Sequence, residues 1–207
     1  MKYGLKFLWL STLILLNSSF LWAAEGKMVV MDVQGDGQII RQNTAMPATA
    51  GMESQPGDIL KTGSNCRMDV ALNSLAGCRV LPASNVLVMD SKLSAMHLKV
   101  NSGNVVLNLK KLPKDSSFEL ETPTALASVR GTQFWGRVEK KAAENPVTTF
   151  AVREGVVEIF DKISSQNFKL EKGQALDLPK NTTGVPNVRP ALPEEMQAME
   201  QADTISL

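Results

Sequence analysis

Apolar and polar residues alternate over most of this chain, and this alternation constrains the fold more than any other feature. The pattern begins at residues 29–33, recurs at 68–72 and 105–109, and continues to about residue 178. Successive side chains of a β-strand point to opposite faces, so a period of two is typical of strands with one buried face. Turn sequences such as Gly35-Asp36-Gly37 separate the runs. We therefore predict a single all-β domain, an antiparallel β-sandwich or a jelly-roll-like fold.

The character of the sequence changes after Pro179. Residues 181–186 are typical of a linker, and Pro193-Glu194-Glu195 begins a short helical pattern, because proline and acidic side chains suit the first turn of a helix. We expect residues 180–207 to form a linker and a weakly ordered C-terminal tail; docking of the tail on the β domain is the alternative.

The N-terminus has the pattern of a secretory signal peptide. Lys2 and Lys6 precede an apolar run from Phe7 to Leu16, and small residues lead out at Ala23 and Ala24. We predict a signal peptide over residues 1–24, a β domain over residues 25–179, a periplasmic location and no stable membrane span after cleavage. Retention of the uncleaved segment as a membrane anchor is the alternative.

Composition narrows the choice of partner. Removing Lys2 and Lys6 from the 22 basic residues leaves 20 against 21 acidic residues, so nothing favours nucleic acid, which requires a clustered basic surface. Trp135 is the only tryptophan beyond the signal peptide, which argues against an aromatic platform for sugars.

The chain has two cysteines, Cys66 and Cys78. An even pair in an exported protein usually forms a disulfide, so we expect a bridge between them. Two unpaired buried thiols are the alternative, because a simple hairpin about residues 73–77 would not place the cysteines opposite each other. With His97 as the only histidine, a zinc site lacks ligands.

One segment of the sequence is more characteristic of a protein family than the rest of the chain. It contains, in order, Thr122, Pro123, Val129, Arg130, Gly131, Thr132 and Phe134. Four further segments accompany it in a fixed order: residues 57–63, Leu81 to Ser84, Glu154 with Gly155 to Val157, and Lys172 to Gln174. Together they resemble the FecR domain family over roughly residues 28–179.

This resemblance implies signalling across the bacterial envelope. Typical family members place a sigma-factor-binding region in the cytoplasm, then one transmembrane helix, then this domain in the periplasm, where it receives a signal from an outer-membrane receptor. Only six residues precede the hydrophobic stretch here, so we expect no cytoplasmic regulatory region. We predict a periplasmic module that binds an envelope protein through a strand edge or loop; the alternative is binding to peptidoglycan or another polysaccharide.

Physical roles can be assigned within the motif. Pro123 suits the entrance of a strand, Gly131 suits a bulge or a close backbone approach, and Phe134 suits the core. Arg130 is a charge amid small apolar residues and needs a partner. We therefore hypothesise a partly buried ion pair between Arg130 and Glu154, with a ligand-binding role for Arg130 as the alternative.

The parts of an enzyme are missing from the sequence. His97 would have to serve any serine–histidine–acid triad, and we expect it to be an exposed strand residue. Glu119 and Glu121 share a strand face, which a solvated surface explains better than acid–base chemistry. We expect no catalytic residues, cofactor or metal.

Overall fold

The computed structural model describes residues 27–72, 75–92, 94–141, 145–180 and 186–205. The predicted signal peptide and residues 181–185 of the predicted linker lie outside this part. The described strands are β1 (Met28–Gln34), β2 (Gly37–Arg41), β3 (Thr44–Pro47), β4 (Glu53–Ser54), β5 (Ile59–Thr62), β6 (Arg67–Leu72), β7 (Ala76–Val80), β8 (Asn85–Asp90), β9 (Ala95–Leu109), β10 (Ser117–Glu121), β11 (Ala125–Val129), β12 (Gln133–Lys141), β13 (Asn145–Glu154), β14 (Val156–Asp161), β15 (Gln166–Glu171), β16 (Gln174–Pro179) and β17 (Asn187–Pro190). Helix α1 (Pro193–Gln201) and a 3₁₀ turn (Ala202–Thr204) follow.

The strands form two sheets that share β9. Sheet A has the order β4-β1-β6-β7-β9-β12-β13-β16-β17. Sheet B has the order β3-β2-β5-β8-β9-β10-β11-β14-β15. The predicted all-β class is confirmed. The pairing is antiparallel except between β9 and β10, which run parallel.

Strand β9 is long because its two halves serve different sheets. Its first half pairs with β8 and β10 in sheet B, and its second half pairs with β7 and β12 in sheet A. The change occurs near Gly103, whose φ is +90°. A Cβ there would lie 2.3 Å from Ser84 Oγ, so only glycine fits the backbone at this bend.

The inward side chains of both sheets form one apolar core. Phe118, Phe134 and Phe150 are its largest fully buried side chains. Strands β6 and β7 depart from the simple alternation, because nearly all their residues are buried. Sheet B covers one of their faces, and the C-terminal segment covers part of the other.

The C-terminal segment docks on the outer face of sheet A, which is the alternative that the sequence left open. Strand β17 pairs with β16, and Met199, Ala202 and Ile205 pack with Trp135 in a second apolar cluster. We expected a weakly ordered tail from its linker-like, proline-containing sequence. The apolar face that receives it comes from residues distant in sequence.

Candidate interaction surface

The FecR-like segment is built around a buried hydroxyl network. Thr122 Oγ1 accepts from Ala125 N at 3.0 Å and from Thr148 Oγ1 at 3.1 Å. Thr124 Oγ1 in turn donates to Thr148 Oγ1 at 2.6 Å. These side chains are fully buried, whereas Pro123 is exposed in the turn between β10 and β11. The hydroxyls therefore fix this turn against β13, since buried polar groups are stable only when they are hydrogen bonded.

Two of the segments noted in the sequence meet in space. The chain passes from sheet B to sheet A at Gly131 and returns to sheet B at Gly155. Thr132 Oγ1 donates to the carbonyl of Val156 at 3.0 Å. A Cβ on Gly155 would lie 2.7 Å from the carbonyl oxygen of Gly131. The two crossings therefore pack backbone against backbone, flanked by the buried side chains of Val129 and Phe134.

The hypothesis of an ion pair between Arg130 and Glu154 is wrong. Both residues are exposed, and among the ion pairs of the described residues neither side chain has a partner. Arg130 follows the last residue of β11 at the end of sheet B. Glu154 ends β13 in sheet A, where it pairs with Gln133. The two motifs contact each other through Gly131 and Gly155, whereas Arg130 and Glu154 adjoin strands of different sheets.

The buried ion pairs involve other residues. Asp58 is 1% exposed, and its carboxylate accepts from Arg41 Nε at 2.9 Å and Arg41 Nη2 at 2.7 Å. Burial alone would raise the pKa of Asp58, but the hydrogen bonds from Arg41 and from Gln55 N outweigh it and lower the pKa. Asp58 lies in a segment that the sequence singled out; Arg41 carried no signal of its own.

A second buried pair lies in sheet A. Arg79 donates to Asp69 at 2.7 Å and 2.6 Å, and both side chains are nearly inaccessible. The two residues face each other across β6 and β7, which is the register that cross-strand ion pairs require. This pair was missed because its register becomes known only once both strands are aligned.

The expected disulfide between Cys66 and Cys78 is not formed. Both thiols are free and buried. Cys78 pairs with Val70 in the ladder of β6 and β7, and Cys66 lies four positions before Val70, or roughly 13 Å along the strand. A bridge requires Cα atoms within about 7 Å of each other. The register therefore keeps the two sulfurs apart.

His97 and Glu121 form an ion-pair cluster with Lys99 and Lys162 on sheet B. His97 is partly buried, with Nε2 3.2 Å from Glu121 Oε2, although the contact lacks hydrogen-bond geometry. Lys162 and Lys99 hold the other oxygen of Glu121 at 2.8 Å and 3.1 Å. Burial would raise the pKa of Glu121, but hydrogen bonds from Lys162 and Lys99 lower it. Glu121 is thus held as a carboxylate, which suits an ion-pair anchor better than a proton donor.

One sheet edge is long and open. Among the described edge strands, β4 has two residues, while β3 and β17 have four each and end in proline. Strand β15 has six residues and no proline. Edge prolines and short edges discourage pairing with further strands, so β15 is the edge that remains competent to pair.

The hydrogen-bonding groups of this edge face outward at known positions. The N–H of Glu171 donates to the side chain of Gln174 at 2.8 Å and is therefore turned away from β14. Because the ladder alternates, the N–H and C=O groups of Lys169 and Asn167 also point away from β14. A further strand could bond to them without disturbing the sheet.

Exposed apolar residues lie beside this edge. Val156 and Phe160 on β14 are each 39% exposed. A shallow groove of about 490 Å³ extends from Val156 and Glu158 on β14 towards Arg130, on the side of β14 that faces β11. We call β14, β15 and this groove the β14–β15 surface. It joins an open strand edge to apolar and charged side chains, the combination used in strand addition.

The described residues contain neither a metal-binding cluster nor a helix able to span a membrane. Within the described residues, no group of three or more histidine, cysteine, aspartate or glutamate side chains is arranged to hold a metal ion. The described helices are too short or too polar to cross a bilayer.

The fold and this surface define an all-β, two-sheet domain with an open edge. The family model described as FecR protein matches residues 58–158. Residues 58–158 therefore match the FecR family, and the resemblance seen in the sequence is confirmed over this stretch.

Solved structures agree at the level of the fold. Two crystal structures of a proposed anti-sigma factor from Parabacteroides distasonis, at 1.65 Å and 2.50 Å resolution, superpose with TM-scores of 0.57 and 0.58. Each shares 15% sequence identity, covering 69% of this chain and 64% of the matched chain. This chain therefore spans less than two thirds of those structures. No curated protein matches the sequence with significance.

Proposed function

We propose that this protein is a non-enzymatic periplasmic module that binds an envelope protein by strand addition at β15, in a signalling or assembly role. The match of residues 58–158 to the FecR family supports a role in envelope signalling. The signal-like pattern of residues 1–24 supports the periplasmic location. The observation that carries the proposal is the six-residue open edge of β15 beside the exposed Val156 and Phe160.

The partner chemistry follows from the edge. An added strand would bond to the main chain of Asn167 and Lys169, so affinity would depend little on the partner's sequence. Specificity would come from charges opposite Lys169 and Glu171 on β15 itself and from long apolar side chains that reach across β15 towards Val156 or Phe160. We therefore expect the partner to contribute an extended segment with alternating apolar and charged residues.

In-cell cross-linking tests this proposal. A photo-cross-linking amino acid at Asn167 should capture one envelope protein reproducibly, identified by mass spectrometry. The same amino acid at Gln38, an exposed residue of β2 towards the other end of sheet B, is the positional control and should not capture it.

A substitution pair at one position separates strand addition from side-chain docking. Lys169→Pro removes an outward N–H without breaking the ladder to β14, and it should abolish capture while the domain stays folded. Lys169→Ala keeps the N–H and should retain capture. Equal capture by both variants would contradict strand addition.

Binding to peptidoglycan or another polysaccharide remains the alternative. Trp135 is only 6% exposed beneath the C-terminal segment, so it offers no stacking face to a sugar. Retention of the protein on purified cell-wall sacculi, with no protein captured from position 167, would favour this alternative.

A further inference from the structure

The outer face of sheet A receives helix α1 through a defined set of side chains. Trp135 forms an apolar floor with Val106, Ala151 and Ala175, against which Met199, Ala202 and Ile205 pack. Arg79, Gln133 and Arg153 surround this floor. We call Arg79, Gln133, Trp135 and Arg153 the helix socket.

The socket binds the main chain at the end of the helix. Arg79 Nη1 donates to the carbonyl of Gln201, and Gln133 Nε2 donates to the carbonyl of Met199 at 3.0 Å. The last carbonyls of a helix have no partner within the helix, and the negative end of its dipole attracts a cation. These contacts therefore recognise a helix end whatever its side chains are.

One side chain of the segment is also held. The Asp203 carboxylate accepts from Arg153 Nη1 at 2.7 Å and from Gln133 Nε2 at 2.7 Å. The hydrogen bonds from Arg153 and then Gln133 lower the pKa of Asp203 despite partial burial. A ligand for the socket thus needs an apolar helix face and a carboxylate just after its last turn.

Two features indicate that α1 can be displaced. A nine-residue helix is too short to be stable alone, so it stays folded only while docked. It also leaves part of the face open, because a groove of about 620 Å³ remains beside it, between Trp135, Arg137 and Leu192. A longer helix could bury more of this face than α1 does.

The socket and its occupant also differ in their relation to the family. All four socket residues lie within the family-matched stretch, residues 58–158, whereas α1 lies outside it. Most of the binding face therefore belongs to the family-matched part of the chain, whereas the segment that fills it does not.

We propose that the helix socket is a second docking site, for a short amphipathic helix of a partner protein, and that α1 occupies it in cis as a displaceable cover. The partner helix would carry apolar residues spaced like Met199 and Ala202 and a carboxylate placed like Asp203. This inference goes beyond the proposed function and concerns a different face from β15, so either can fail while the other stands.

A synthetic peptide of residues 186–205, labelled with fluorescein, tests the socket by anisotropy. The unchanged full chain should bind it weakly, because the tethered segment competes at an effective concentration in the millimolar range. The full-length double variant Met199→Asp, Ile205→Asp undocks its own segment and should bind the peptide at least tenfold more tightly.

Matched substitutions in that double variant identify the site. Adding Arg153→Ala should weaken peptide binding at least tenfold. Arg137→Ala should leave it unchanged, because the half-exposed Arg137 on the neighbouring strand β12 pairs with Glu139 and not with the segment. A second peptide that keeps only Met199, Ala202, Asp203 and Ile205, with alanine elsewhere, should bind equally well. A folded double variant that does not bind, or equal effects of the two arginine changes, would overturn the proposal.

Hydrogen exchange on the unchanged chain decides the matter if the double variant does not fold. Amides of residues 193–205 should exchange together, at least tenfold faster than those of β12. Exchange as slow as that of β12 would make the segment a permanent part of the fold and overturn the proposal.

Discussion

Gly155 is the residue where the two FecR-like segments touch, and its backbone allows no side chain. Its φ is +83°, and a Cβ would meet both Gly131 O and Thr132 Oγ1 within 3 Å. Gly173 has a similar φ of +79° but open space around the same position. Comparing the same substitution at the two glycines therefore separates the effect of conformational strain from the effect of steric contact.

We expect Gly173→Ala to lower the free energy of unfolding by about 1 kcal/mol through strain alone. Gly155→Ala should cost a further 1–3 kcal/mol or so, because the added methyl overpacks against backbone. Urea unfolding followed by circular dichroism measures both. Equal losses for the two variants would mean that the crossings do not pack as tightly as the geometry indicates.

Asp58 gives the domain a defined acid sensitivity. Its pKa in the folded state is lowered, so its contribution to stability is fully present above its unfolded pKa of about 3.9 and is lost as the pH falls through the folded value. Asp58→Asn should therefore destabilise the protein at pH 7 and flatten the loss of stability between about pH 5 and pH 2.

The measurement is the free energy of unfolding in urea as a function of pH, with Asp115→Asn in an exposed loop as the control. The control should follow the unchanged protein throughout. An acid limb as steep in Asp58→Asn as in the unchanged protein would assign the sensitivity to other carboxylates such as Glu121 and Asp203, whose pKa values are also lowered.

At the scale of elements, register decides the chemistry of the cysteines. The hairpin of β6 and β7 pairs Cys78 with Val70, leaving Cys66 well outside bonding distance, and burial raises the pKa of both thiols. The two thiols are therefore too far apart to form a disulfide, and neither ionises readily.

We expect the native protein to show almost no reaction with a thiol reagent at pH 8, and two reactive thiols per chain after denaturation in guanidinium. Because no bridge exists, dithiothreitol should leave the melting temperature unchanged. Cys78→Ala provides the control, with one reactive thiol after denaturation. A fall in melting temperature on reduction would show that a disulfide forms after all.

The same scale explains why β6 and β7 deviate from the simple pattern. An alternating pattern predicts one solvent-exposed face for each strand, but these two strands are buried almost throughout. The second cover comes from the C-terminal segment, more than 100 residues further along the chain, as with Arg79 and Gln201. A local pattern carries no information about a cover supplied from such a distance.

At the scale of the whole molecule, the chain passes repeatedly between the two sheets. Strand β9 belongs to both, with its first half in sheet B and its second half in sheet A. This topology leaves β15 open at one end of sheet B and covers the outer face of sheet A with the C-terminal segment. The two proposed docking sites therefore lie on different sheets. A partner strand and a partner helix could bind at the same time.

The sequence by itself determined the all-β class and the glycine turns, because periodicity and turn chemistry act over a few neighbouring residues. Its ordered motifs also indicated the FecR resemblance, which the family match confirms over residues 58–158. It also pointed to Gly131, Gly155, Thr122 and Phe134, whose roles are local or follow from size. Only the tertiary structure decided that Asp58 pairs with Arg41, that the cysteines stay apart, and that β15 is the open edge. Each of these depends on the register between distant strands, and a shift of one residue would exchange the buried and exposed faces.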